Sequence, residues 1–237
     1  MSQSKISKIE TGFYTQLIPS EIEMILNILD APKDISQQVA QAIIDGNQQY
    51  TTRKVTPRWL AASKVFERER ETRLLRNFTF QLIPAILQTV EYRNALMEHY
   101  DQNDTNYNVI MQRQDLVWDG NHRYHIILHE ASLYTIFSAH RVHIAQLDRL
   151  ERFIGAEYMK LGVIPLEVGL APFENSIFVL YDERLVVTVI GSNEIELDSQ
   201  IDIAEHIRMF KALERKAEYD DGARRLIHKA ADYFNLR

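Results

Sequence analysis

The sequence contains no cysteine. That excludes a disulfide framework, a thiolate zinc site and a cysteine nucleophile, and it agrees with a reducing, cytoplasmic setting. Positive charge is not in excess: 27 lysines and arginines stand against 33 aspartates and glutamates, a net charge of −6. The molecule as a whole therefore does not attract nucleic acid, and any DNA contact has to come from a local basic face set apart from an acidic body. No apolar core of signal-peptide length opens the chain. No run approaches the roughly 18 apolar residues that span a bilayer, so no membrane partner is expected. Glycine-rich phosphate loops, nucleophile elbows and zinc-protease motifs are absent too. On these absences the chain is expected not to be an enzyme and to use no cofactor.

What is present is the composition of a globular protein: 237 residues, 46% hydrophobic and 25% charged. That length holds one domain of ordinary size plus a small appendage. Residues 2–12, SQSKISKIETG, predict a short helix with Ser2 as N-cap, Ile6 and Ile9 on one face and Gly12 as its stop. A second helix follows Pro19-Ser20, where Ile22, Ile25, Leu26 and Leu29 recur at helical spacing. A third runs from Ile35 to Ile44 and stops at Gly46. Residues 47–56 are polar and patternless, a linker or surface loop. Thr56-Pro57 then starts a long helix with Trp59, Ala62, Phe66 and Leu74 on its apolar face. The ERERETR run within it reads as a solvated face with local pairs such as Glu69 with Arg73. Helices are also predicted over 85–100 and 106–118.

The character changes at Tyr124, where YHIIL reads as a buried strand. Helical pattern returns over 139–154, with Ile144, Leu147, Leu150 and Ile154 on one stripe. MKLGVIPL, SIFVLY and LVVTVI follow as strands, the last two joined by Asp182, Glu183 and Arg184 as a hairpin. EIEL at 194–197 reads as a short edge strand, and Ser199 with Asp202 as a variant capping box for a helix bearing Ile203, Ile207 and Phe210. A final helix covers 221–235. The fold class is α+β: a truncated all-α segment over 1–46, then a body over 47–237 with a helical segment and a mainly antiparallel sheet flanked by helices.

The opening segment resembles the recognition helix and following turn of the xenobiotic-response-element class of helix-turn-helix regulators. The matching residues are Ser2, Gln3 with Ser4, Ile6, and Ile9-Glu10-Thr11-Gly12. A helix in the major groove offers its first residues to base edges, and glutamine pairs with adenine. The resemblance implies that Gln3, Ser4 and Lys8 face bases, that Lys5, Ser7 and Thr11 lie near phosphates, and that Ile6 and Ile9 are core. In the class, two helices precede this one and brace it. The sequence begins at the recognition helix itself, so specific binding to double-stranded DNA is expected to be weak or absent if Met1 is the true start.

From Trp59 to Ala217 the chain is similar to the uncharacterised, antitoxin-like C-terminal domain that follows this helix-turn-helix in many bacterial regulators. The ordered markers are Ile83-Pro84-Ala85-Ile86-Leu87-Gln88-Thr89, Tyr92-Arg93-Asn94-Ala95, Arg113-Gln114, Glu130-Ala131 with Leu133, Gln146-Leu147, Val163-Ile164-Pro165 with Gly169, and Phe178. Ala85 stands in place of the usual glycine, Ile110 of a common arginine and Ile190 of a common glutamate. The resemblance implies transcriptional regulation, with a homodimer reading paired half-sites.

Tyr92, Arg113, Gln114 and Glu130 are the candidate ligand or partner residues of this body, although a carboxylate and a guanidinium serve equally to fix neighbouring elements together. Metal is not expected. His125 and His129 on one strand stand about 13 Å apart, and His140 with His143 has no third ligand in view. The leading expectation is a DNA-binding regulator whose large domain senses a ligand or a small protein partner. The alternative is an interaction module that masks a partner without touching DNA.

Overall fold

The computed structural model describes residues 19–29, 31–39, 54–99, 107–137, 139–171, 176–190 and 193–236. The predicted helix over 2–12 and the end of the third helix at Gly46 lie outside these residues. The chain divides into two compact units, Met1–Arg53 and Lys54–Arg237. In the first, helix α1 spans Pro19–Ile28 and residues 33–39 form helix α2, in keeping with the apolar spacing of Ile22, Ile25 and Leu26.

In the second unit, short apolar runs rich in β-formers gather into one seven-stranded sheet. Its strands are β1 (Lys54–Pro57), β2 (Leu74–Thr79), β3 (Arg123–His129), β4 (Met159–Ile164), β5 (Phe178–Tyr181), β6 (Leu185–Ile190) and β7 (Asn193–Leu197), in the order β1-β7-β6-β5-β2-β3-β4. β2, β3 and β4 run parallel to one another; every other pairing is antiparallel. Parallel neighbours need crossovers. The first carries a 3₁₀ turn (Ala85–Leu87), α4 (Val90–His99) and α5 (Tyr107–Trp118); the second carries α6 (Ala131–Tyr134) and α7 (His140–Phe153). Helix α3 (Arg58–Arg70) precedes β2, while α8 (Gln200–Glu214) and α9 (Asp221–Asn235) close the chain. The α+β expectation and the mainly antiparallel sheet both hold.

Alternation along the strands sorts the core into two layers. Leu75, Tyr124, Ile126, Leu128, Leu161 and Val163 face one side, where they meet Leu147, Leu150 and Phe153 of α7 and Ala223, Ile227 and Ala230 of α9. Phe78, Ile127, Ile164, Phe178 and Leu180 face the other, against Ile203, Phe210 and Leu213 of α8. Because helices cover both faces, the central strands lose the polar alternation of a half-buried sheet.

That loss explains the largest correction. The long helix predicted to run through Leu74 ends at Arg70, and Leu74 opens β2, the strand between β5 and β3. The Thr72 hydroxyl donates to the Arg68 carbonyl at 2.6 Å and closes the helix. The Asp182 carboxylate then accepts the Arg73 and Leu74 N–H groups at 3.1 and 2.8 Å, which aims the chain into β2. Leu74 fell at helical spacing from Phe66 by coincidence of a buried strand with no period of its own. Two smaller differences follow from pairing. Residues 54–56 belong to β1 rather than to a loop, because β7 supplies partners from Asn193 to Glu196. For the same reason β7 is flanked on both sides and is not an edge strand. The helix predicted over 85–100 divides into the 3₁₀ turn and α4, with extended Gln88 between (ψ 144°). At α8, Ser199 caps as expected: its Oγ accepts the Asp202 N–H at 3.1 Å and donates to the Asp202 carboxylate at 2.7 Å.

Candidate ligand-binding site

Residues 83–89 lie on the face of the sheet covered by α7 and α9, at the meeting of the 3₁₀ turn with α5 and α7. Irregular backbone inside a protein must find partners for its carbonyl and N–H groups. Here side-chain amides supply them. Gln88 Nε2 donates to the Ile83 carbonyl (2.7 Å), and Gln114 Nε2 to those of Ala85 (3.2 Å) and Gln88 (2.9 Å). Gln146 works twice: its Nε2 donates to the Leu87 carbonyl at 2.9 Å and its Oε1 accepts the Thr89 N–H at 2.7 Å. Arg149 Nε adds a second donor to Leu87 at 3.1 Å. The sequence markers Gln88, Gln114 and Gln146 thus converge on one segment of main chain, and Gln114 is engaged there.

Beside this segment opens a cleft of about 200 Å³ lined by Thr89, Trp118, Ala145, Arg149, Arg152 and Phe153. Trp118 ends α5 and is 57% exposed. Its ring centroid lies 5.6 Å from that of buried Phe153 and 5.3 Å from that of Tyr158. The Arg149 guanidinium stands 5.5 Å from the Phe153 ring centroid and its Nη2 donates to Gln114 Oε1 at 3.4 Å. None of the cleft residues figured among the sequence candidates. Their one signal in the sequence is the spacing of Arg149 and Arg152, three apart and hence on one helix face.

The other candidates sit at separate places. Arg113 forms a bidentate pair with Glu69 of α3, Nε and Nη2 each 2.7 Å from a carboxylate oxygen. Burial works against the Arg113 charge, but the adjoining carboxylate outweighs it and holds the group above its ordinary value. Next to this pair, Arg68 bonds Glu196 at 2.7 Å and Glu194 at 3.4 Å. The reading of ERERETR as a solvated face is corrected accordingly. Glu69 is buried and pairs across to α5 instead of with Arg73, and Arg68 turns to β7. Only one side of the helix, with the exposed Glu67–Arg70 pair, stays in water.

Glu130 ends β3 fully buried, and accepts from the Leu166 N–H at 2.8 Å, Lys229 Nζ at 2.9 Å and the Tyr134 hydroxyl at 3.3 Å. It joins β3, the loop after β4 and α9. Tyr92 is buried edge-on to Phe137 (6.1 Å) and 5.9 Å from His143. Arg113, Gln114 and Glu130 each bond to a different element, so these candidates do not share one pocket. Among the described residues no group of three or more histidine, aspartate or glutamate side chains is placed to hold a metal. His143 gives its Nε2 to the Leu133 carbonyl at 2.7 Å, and His129 Nδ1 accepts the Ala131 N–H at 3.3 Å.

On the opposite face, Arg76, His125 and Lys160 line up across β2, β3 and β4. His125 Nε2 lies 2.8 Å from the Tyr219 hydroxyl, and Lys160 pairs with Glu214 at 2.6 Å. Burial, with the Lys160 charge behind it, pushes His125 from 6.5 down to about 4. The unfolded chain takes up this proton near 6.5 and the folded one only near 4. Stability therefore falls as pH drops through that window and levels off below it. Urea midpoints measured across the window should fall less steeply for His125→Gln, which keeps a partner for Tyr219 without titrating; parallel slopes would acquit His125.

The family model described as a domain of unknown function (DUF5753) matches residues 62–229. No curated protein matches the chain. Among solved structures, TrmBL2, an archaeal chromatin protein whose structure shows a novel mode of DNA binding, has a TM-score of 0.40 at 11% identity, over 84% of this chain and 66% of that one. NucT from Helicobacter pylori has a TM-score of 0.44 at 10% identity, over 71% of this chain and 98% of that one. Nuc from Salmonella typhimurium, a phospholipase D family member, has a TM-score of 0.41 at 10% identity, over 71% and 95%. The expectation that the chain is not an enzyme is corrected: it rested on absent sequence motifs alone, and a phospholipase D family member is among the structures matched. No helix among the described residues is long and apolar enough to cross a membrane.

Proposed function

From the DUF5753 family, to which the chain belongs, we propose a cytoplasmic DNA-binding transcriptional regulator whose body, Lys54–Arg237, senses a ligand or protein partner. The observation that supports it is the division of the chain. The family match lies wholly within the second unit, and the segment resembling a recognition helix lies within the first. DNA reading and sensing then belong to separate units, as a regulator requires. Gln3, Ser4 and Lys8 read bases; Lys5, Ser7 and Thr11 contact phosphates; two copies read paired half-sites.

The test is cross-linking and recovery of DNA with the protein tagged at its C-terminus on the chromosome, so that the cell's own start site is used. Recovery of a few sites with two-fold related half-sites is expected. Gln3→Ala should relax the choice of sequence, by about 1–3 kcal/mol at the base it pairs with. Lys5→Ala, which removes a phosphate contact, should weaken every site. Recovery of no selective DNA, with a stoichiometric protein partner instead, would replace this reading by that of a partner-masking interaction module.

A further inference from the structure

In a chain of net charge −6, the cleft between the end of α5 and the last turns of α7 gathers two guanidinium groups and no carboxylate among its lining residues. Arg149 is held below its ordinary pKa, first by burial and then by the Arg152 charge, with the Tyr158 phenol working the other way. Glu151, between the two arginines, turns away to Arg224 (3.2 Å) and His228 (2.9 Å). Two like charges on one helix face, with no counter-ion within ion-pair distance among the described residues, raise the local affinity for an anion.

The rest of the lining is apolar and aromatic. One side of Trp118 is held by Phe153 and Tyr158, and the remainder of its surface meets solvent. A ring fixed in that way offers a stacking platform at little entropic cost. The one hydroxyl in the cleft, that of Thr89, already accepts the Tyr92 N–H at 3.1 Å, so there is little here to hold a sugar. The volume of about 200 Å³ lies below the roughly 300–1,000 Å³ of sites for drug-sized ligands. It suits one ring or two fused ones.

We propose that this cleft binds a small planar aromatic acid, its ring against Trp118 and its carboxylate on the Arg152 guanidinium with Arg149 behind. The regulatory consequence rests on the reading of the body as a sensing domain; the binding itself does not. A carboxylate meets an arginine fork with two parallel charge-assisted hydrogen bonds, which an uncharged amide of the same shape cannot make.

Calorimetric titration of the full chain with indole carboxylate as the probe tests it, with indole carboxamide, inorganic phosphate and adenosine monophosphate as comparisons. The acid should bind roughly tenfold or more tightly than the amide and than phosphate. Arg152→Gln should remove most of that margin, and Trp118→Ala should weaken acid and amide alike, by roughly tenfold. Arg152 is exposed, so its variant folds and keeps the test open should the loss of Trp118 disturb Phe153. Acid and amide of equal affinity, undiminished binding by Arg152→Gln, or no heat with any probe would overturn the proposal. Tighter binding of adenosine monophosphate, lost in the same variants, would transfer the cleft to nucleoside phosphates. The DNA-recovery experiment repeated with the probe present separates the two readings. Binding without any change in DNA occupancy leaves the cleft standing and removes the sensing role, whereas absence of binding removes the cleft and leaves the regulator.

Discussion

Glu69→Ala and Arg113→Ala should each lower the stability of the body by about 3–5 kcal/mol, read as the shift of the urea unfolding midpoint at unchanged slope. The figure comes from what is left behind. Glu69 is buried, and both its oxygens are bonded to one guanidinium, so removal of Arg113 strands a carboxylate away from water. Removal of Glu69 leaves the guanidinium beside Arg68, whose own charge is answered by Glu194 and Glu196. The double change Glu69→Leu with Arg113→Met should recover most of the loss, because an apolar pair of similar volume carries no desolvation cost. Single variants that cost under about 1 kcal/mol would place the pair in water, contrary to the burial on which the estimate stands.

The second large effect concerns the 83–89 segment. Gln146→Leu takes away the acceptor of the Thr89 N–H and one of the two donors to the Leu87 carbonyl. A buried polar group left without its partner costs about 1–3 kcal/mol, so the total expected is about 2–4 kcal/mol. Gln146→Glu, which keeps the acceptor and loses the donor, should cost less at Thr89, and its carboxylate meets the Arg149 guanidinium that shares the Leu87 carbonyl. Hydrogen exchange at the Thr89 amide distinguishes the two: fast in the leucine variant, protected in the glutamate one. An unchanged Thr89 amide in Gln146→Leu would show that the segment finds its bonds elsewhere.

How much of this was legible depended on whether one element or several had to be read. Helices α7, α8 and α9 each carry a one-sided apolar stripe; the sequence placed α7 and α9 within a residue or two and the start of α8 at its Ser199 cap. The β5–β6 hairpin was equally plain, since both strands and the three-residue turn are contiguous. β2 was lost because a strand covered on both faces keeps no alternation, and its neighbours β3 and β5 begin 49 and 104 residues further along the chain. The polar candidates show the same limit. Arg113 stood out from the sequence, but nothing local tied it to Glu69, 44 positions earlier. Gln114 and Gln146 were visible as markers; that both point their amides at one stretch of main chain is a fact of the tertiary fold. The cleft was invisible for the same reason, its tryptophan and its arginines being brought together from the ends of two helices.

The placement of β1 carries a last consequence. The four residues that open the body pair with a strand near its far end, Lys54 opposite Glu196 and Pro57 opposite Asn193. During synthesis β1 emerges first and waits for a partner made some 140 residues later, about ten seconds or more at ordinary ribosome speeds. A shortened product beginning after Pro57 would bare one edge of β7 from Asn193 to Glu196, and such a rim recruits strands from other molecules. Trimmed forms of this protein should therefore be recognised by self-association, seen as light scattering that grows with concentration, before any loss of helical signal.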